Sequence, residues 1–230
     1  MVNLKTALKL LLWKERCHIG FLVVILLVSC ASLFARPNSV LSMLSPGLRK
    51  FLTHHPEAIA ALNAKYEEAT QAREISILYE YVDVISPPRA LHASIDLTHV
   101  VLIVKEGQQP LDELIEIFYE LQNSERDEDF QIIFEEAASG SIERGLFPII
   151  LLREEFRAYP STRHFVNSLN LSKRERLKSL ACTRYMNCPD EFEAFRTYCW
   201  GTNYVENEGY KSYETNYDAL RHGTNAINFR

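Results

Sequence analysis

Glycine and proline are scarce in this chain, with 8 and 9 among 230 residues. Such low contents, without a Gly-X-Y period, exclude a collagen-like fibre and make a low-complexity linker a poor description of the chain. The sequence has no glycine-rich phosphate loop, no Gly-x-Ser-x-Gly elbow and no Cys-x-x-Cys pair. It therefore lacks the motifs that identify three common kinds of catalytic or binding site.

Positive charge is also scarce outside the N-terminus. Residues 36–230 hold 21 Lys and Arg against 29 Asp and Glu, a net charge of −8. Broad nucleic-acid binding needs a basic surface. We therefore expect no nucleic-acid partner.

The N-terminus has the pattern of an export or anchoring signal. Residues 19–35 carry no charge, and residues 1–18 form a basic leader that contains Lys5, Lys9, Lys14 and Arg16. Seventeen residues make a helix of roughly 26 Å, just enough to cross a bilayer core. The charge asymmetry places the leader in the cytoplasm and the rest of the chain across the membrane. We expect a membrane-attached protein with an extracytoplasmic body.

Three fates of this segment stay open. It fits an uncleaved signal-anchor. The run Leu27-Val28-Ser29-Cys30 resembles a bacterial lipobox, which implies a lipoprotein with lipidated Cys30. The small residues Ser29, Cys30 and Ala31 also suit simple signal cleavage.

The rest of the chain predicts an α+β fold that is mostly helical, with a small sheet of two to four strands. Residues 36–56 are rich in Pro and Ser and are interpreted as a tether, with a short helix around 48–52 as an option, and residues 57–230 as one compact domain. Alternation and β-branched residues favour strands over 75–85 and 99–105. Periodicity and capping signals favour helices over 57–73, 110–123, 125–138, 142–159, 173–186, 189–200 and one last helix around 210–220.

One segment resembles the core of zincin-type metallopeptidases. The strand HVVLIVK precedes a helix that contains Tyr119-Glu120-Leu121-Gln122-Asn123, where that family has H-E-x-x-H. The resemblance implies that Glu120 is the general base and that Glu154 or Glu155, on a later helix, is the acidic metal ligand. Tyr119 and Asn123 replace the two histidines, so the resemblance is to a degenerate core.

The missing histidines leave too few ligands for a catalytic zinc, and we expect no cofactor. A helical wheel places Glu113, Glu116 and Glu120 opposite the apolar stripe, which predicts a solvated acidic face. A mixed metal site from His92, His99 and Glu120 is an alternative that the spacing neither selects nor excludes.

The remaining candidates lie in the C-terminal third of the domain. The domain has three cysteines, Cys182, Cys188 and Cys199. Because three is odd, they form at most one internal disulfide. The alternative is that all three are buried as small apolar residues. Basic residues at 173–184 indicate either a solvated helix face, with Leu177, Leu180 and Ala181 buried, or a patch for lipid phosphates or an acidic partner. Tyr210, Tyr213 and Tyr217 share one helix face, which either packs on the core or contacts a protein partner.

Two functions fit these patterns. The first is a non-catalytic interaction or envelope component tethered to a membrane. The second is an exported zincin-like hydrolase, or a pseudo-enzyme derived from one, that uses Glu120 and Glu155.

Overall fold

The computed structural model describes residues 39–71, 73–80, 90–96 and 99–223, with residues 80 and 90–96 as backbone alone. The basic leader, the segment at 19–35 and Cys30 lie outside the described residues. Within them, no helix has both the length and the apolar character needed to span a membrane.

The described part of the domain is an α+β fold that is mostly helical, as the sequence predicts. Its α-helices are α1 (Pro46–Leu52), α2 (Pro56–Ala69), α3 (Pro110–Ser124), α4 (Asp127–Ser139), α5 (Phe147–Phe156), α6 (Tyr159–Ser168), α7 (Lys173–Lys178), α8 (Leu180–Asn187), α9 (Phe192–Trp200) and α10 (Glu208–Arg221). Its strands are β1 (Glu74–Glu80), β2 (Ala90–Asp96) and β3 (His99–Lys105).

The three strands form one mixed sheet in the order β1-β3-β2. Strand β1 pairs with β3 in parallel, with Leu78 opposite Ile103, and β2 pairs with β3 antiparallel. The central strand β3 is the apolar run HVVLIVK, and its five inner residues are all buried. A run of branched apolar residues without alternation suits a strand that is covered on both faces.

Helix α3 lies at the centre of the domain. It follows β3 through a turn at Gly107 and contacts both β2 and β3 as well as α1, α2, α6 and α8. Pro110 starts the helix, and Asp112 and Glu113 lie in its first turn, where the helix dipole favours acids. Neighbours on every side leave this helix with almost no exposed surface.

The prediction of a tether over 36–56 is wrong for its described part, residues 39–56. Val40, Leu44, Leu48 and Leu52 follow one another at intervals of four and are each at most 3% exposed in the main hydrophobic core. Ser45 caps α1 by accepting a hydrogen bond from the Leu48 N–H. The compact unit therefore begins at Ser39.

Several predicted helix boundaries also shift. Ser124 ends α3 instead of capping the next helix, and its hydroxyl donates to the Leu121 carbonyl. The helix predicted over 142–159 begins only at Phe147, with Pro148 in its first turn, and ends at Phe156. The capping box between Ser172 and Glu175 is confirmed, but the helix that it opens ends at Lys178, and Ser179 caps a new helix.

The tyrosine face of α10 packs inside the domain. Tyr210 and Tyr217 are 4% and 9% exposed, and their hydroxyls donate to the carbonyls of Gly145 and Ile142. The Tyr213 hydroxyl donates to Glu155 at 2.7 Å. These contacts are those of core packing, and a protein partner at this face stays a prediction.

Candidate functional site

The acidic face of α3 is buried, and the prediction that it is solvated is wrong. Glu113, Glu116 and Glu120 are 4%, 3% and 4% exposed. Helical periodicity separates apolar from polar residues, but it does not reveal polar partners that come from distant segments. A buried carboxylate needs such partners, because its desolvation is otherwise very costly.

Asp112 holds the start of α8. Its Oδ1 accepts hydrogen bonds from the Ser179 hydroxyl at 2.5 Å and from the Ala181 N–H at 2.9 Å. The Ser179 hydroxyl in turn accepts from the Cys182 N–H at 2.9 Å. The carboxylate thus satisfies groups at a helix N-terminus, where the dipole favours negative charge.

Glu113 connects α3 with α1 and β1. It accepts hydrogen bonds from the Ser45 hydroxyl at 2.8 Å and from the Tyr79 hydroxyl at 2.6 Å. The Tyr79 oxygen also accepts from the Ser45 N–H at 2.9 Å. Burial and the bond to Glu113 raise the pKa of Tyr79, so the phenol stays neutral and donates.

Glu116 pairs with an arginine from α8. Nη2 of Arg184 donates to Oε1 of Glu116 at 2.5 Å and lies 3.1 Å from the Tyr185 hydroxyl. The guanidinium also lies over the Tyr185 ring, 4.7 Å from its centroid. Arg184 is thus ion-paired with a buried acid and does not belong to a free basic patch.

Tyr119 occupies the first of the two positions that are histidine in zincins. It is 8% exposed, and its ring centroid lies 5.2 Å from that of Tyr159 and 5.4 Å from that of Tyr185. Burial raises the pKa of Tyr119 well above its ordinary value, and nearby Tyr159 and Glu155 add to this effect. A neutral phenol packed among aromatic rings is a poor metal ligand.

Asn123 occupies the second of those positions and binds an arginine. Its Oδ1 accepts a hydrogen bond from Nη2 of Arg126 at 2.6 Å. Nε of Arg126 lies 3.1 Å from Oε1 of Glu154, and the two side chains are 13% and 12% exposed. A largely buried guanidinium therefore joins Asn123 to one of the two candidate metal-binding acids.

Glu120 and Glu155 are both engaged within the protein. The Nδ2 atom of Asn123 lies 3.5 Å from Oε2 of Glu120, which has further interactions. Glu155 accepts from the Tyr213 hydroxyl. Besides burial, the charges of both acids raise the pKa of Tyr119, so both lie near this buried phenol.

Histidines and cysteines do not extend this group. Among the described residues, no three His, Cys, Asp or Glu side chains are grouped so that they could hold a metal ion. His99 lies 3.1 Å from Glu74, and the side chain of His92 is outside the described residues, so the mixed site with Glu120 stays a hypothesis. Cys182, Cys188 and Cys199 are free thiols.

The leucines of the predicted basic face at 173–184 are not buried as the sequence predicts. Leu177 and Leu180 are 73% and 62% exposed, although periodicity places them inside. The break at Ser179 explains the exposure of Leu180, because the helix that starts there presents a different face. Leu177 lies on α7, which buries none of its residues. Ala181 is buried, as predicted.

Arg126 is the functional residue that sequence reasoning missed. It lies three positions after Asn123, in the turn between α3 and α4. The sequence contains that spacing, but nothing in it shows that Glu154, 28 positions after Arg126, completes the group.

Comparison with family models, with curated proteins and with solved structures gives no match.

Proposed function

We propose that the chain is a non-catalytic, membrane-tethered extracytoplasmic domain that acts as an interaction or envelope component. Its core is that of a degenerate zincin. The observation that carries the proposal is the position of Arg126, whose guanidinium contacts Asn123 and Glu154. A fixed cation beside these residues repels a metal ion and neutralises Glu154, one of the two candidate metal-binding acids.

The wider polar network supports a structural role for α3. Asp112, Glu113 and Glu116 each bind side chains or N–H groups from distant segments of the same chain. A general base has to reach a water molecule or a substrate proton. Acids that instead fix neighbouring elements stabilise one arrangement of the domain.

The burial of Glu120 favours descent from an enzyme over a chance resemblance. A solvated face would explain an acid at this position without any active-site ancestry, but Glu120 is 4% exposed. Its charge and that of Glu155 both act on the buried Tyr119 phenol. We therefore propose a pseudo-enzyme and not a hydrolase.

Elemental analysis of full-length protein purified with added zinc tests the proposal. We expect well under one zinc per chain, both in the native protein and in the Glu120→Gln and Glu155→Ala variants. One zinc per chain that is lost in Glu155→Ala would overturn the non-catalytic assignment. Glu191→Ala, an exposed acid at the start of α9, is the matched control.

Membrane attachment through residues 19–35 belongs to the same proposal and is tested separately. A reporter that is active only outside the cytoplasm, fused after Arg230, should give signal. Neutral replacements of Lys5, Lys9, Lys14 and Arg16 should weaken that signal. Signal from a reporter that is active only in the cytoplasm would contradict the proposed orientation.

A further inference from the structure

A groove of about 620 Å³ lies between α2 and α6, with α3 as its floor. This volume is in the range of about 300–1,000 Å³ that ligand-binding pockets occupy. Phe118 and Gln122 line the groove. They lie on a different face of α3 from Tyr119 and Asn123. The groove is therefore separate from the network around Arg126.

The surface of the groove is largely apolar. The rings of Phe118 and Phe165 stack with centroids 3.9 Å apart and planes 5° apart at its base. Ala61 and Ala64 on α2 and Pro160 on α6 line its sides. Small residues on α2 keep the groove open, so an apolar side chain has room to contact the two rings.

Gln122 is a buried amide that lines this groove. The residue as a whole is 9% exposed. Within the part of the chain that the structure describes, no group hydrogen-bonds to this amide, so its donors and its acceptor are available to a ligand.

The ammonium group at the groove is ion-paired within the protein, and His164 also lines the groove. Lys65 at its edge lies 3.0 Å from Glu68 and 2.5 Å from Glu125. Because this ammonium group is already neutralised, it does not select a phosphate or a carboxylate. The chemistry of the lining instead suits an uncharged ligand that has both apolar surface and an amide.

We propose that the groove binds an extended, uncharged peptide segment of a protein partner. A carboxamide offers both donors and an acceptor. In an extended chain the N–H and C=O of one residue point to the same side, as in the hydrogen-bonded pairs of an antiparallel sheet. Gln122 pairs with both groups of one residue, while an adjacent apolar side chain packs on Phe118 and Phe165.

This inference goes beyond the proposed function by giving the chemistry of a partner. It does not depend on whether Glu120 is catalytic. A zinc-containing protein would overturn the proposed function and leave the groove unaffected, so the two failures are distinguishable.

The test measures the binding of a labelled probe peptide, acetyl-Thr-Val-Leu-Val-Thr-amide, to the full-length protein. Binding is detected by NMR of the peptide. A second set of probes carries an ester in place of one backbone amide at a time. Gln122→Met removes the hydrogen bonds at similar side-chain length. The matched control is Gln131→Met, which changes an exposed glutamine on α4.

We expect saturable binding to the native protein and to Gln131→Met, and binding about tenfold weaker to Gln122→Met, as the loss of two hydrogen bonds implies. One ester probe should bind the native protein equally weakly and show no further loss with Gln122→Met. Absence of saturable binding, or affinities that depend neither on Gln122 nor on any ester position, would overturn the proposal. The ester series on the native protein decides the question even if Gln122→Met fails to fold.

Discussion

Nη2 of Arg126 donates to Oδ1 of Asn123 at 2.6 Å. The two residues lie at the junction of α3 and α4, and the same guanidinium is ion-paired with Glu154 on α5. Burial lowers the pKa of Arg126, and the charge of Glu154 opposes this effect. One arginine thus joins three helices at the place where the zincin resemblance puts a metal.

Replacement of Arg126 should destabilise the domain strongly. Arg126→Met leaves Asn123 and the largely buried Glu154 without this partner, which should lower the free energy of unfolding by about 2–3 kcal/mol. Arg157→Met is the matched control. Arg157 contacts the same Glu154 but is 58% exposed, so its loss should cost less than about 1 kcal/mol. Urea denaturation of both variants measures this difference, and equal losses would contradict a special role for Arg126.

Removal of the Asp112 carboxylate should loosen the start of α8. Asp112→Ala leaves the buried Ser179 hydroxyl and the Ala181 N–H without their acceptor, at a cost of about 2–3 kcal/mol. Hydrogen exchange should accelerate at the Ala181 amide more than at amides of α10. The control is Asp190→Ala, because that acid is 78% exposed in its pair with Arg163. Unchanged exchange at Ala181 would show that the carboxylate does not hold this helix.

High pH should unfold the domain through its buried tyrosines. Burial raises the pKa of Tyr119, Tyr159, Tyr185 and Tyr213 in the folded state. The unfolded chain loses these protons near pH 10, so stability is complete below about pH 10 and falls as the pH rises towards the folded-state values.

Phenolate absorbance and circular dichroism, recorded together from neutral to alkaline pH, test this prediction. Exposed tyrosines should ionise first, and the buried group should ionise only as the helical signal is lost. Ionisation of all 11 tyrosines in one step, with the helical signal intact, would contradict the burial of the group.

Much of the fold follows from local patterns in the sequence. The run HVVLIVK at β3, Pro110 at the start of α3, and the box between Ser172 and Glu175 each specify an element through nearby residues. Gly140 ends α4 with φ of 86°, a conformation that favours glycine. These signals act within a few residues and can be read without the tertiary structure.

The burial of the α3 acids could not be predicted in the same way. Glu116 meets Arg184 from 68 positions away, and Glu113 meets Tyr79 and Ser45 from separate elements. Acids that alternate with an apolar stripe fit a solvated helix and a buried one equally well. Only the packing of helices on both sides distinguishes the two.

The wrong prediction of a tether over residues 36–56 has a different cause. The Pro and Ser residues of this segment are turn and capping residues, and Ser45 and Pro46 start α1. The regular spacing of Val40, Leu44, Leu48 and Leu52 was the informative signal, because these residues form a stripe that packs on the core. Composition alone obscured this periodicity.

The thermal unfolding midpoint of the full-length protein, measured with excess zinc and with a chelator, tests the central claim most directly. A ligand that binds only the folded state at 100 times its dissociation constant adds about 2.7 kcal/mol, which raises the midpoint by roughly 5–10 °C at this chain length. If Arg126 fills the place of the metal, the two midpoints should agree within about 1 °C. A midpoint that zinc raises by several degrees, in a manner that Glu155→Ala abolishes, would contradict the account.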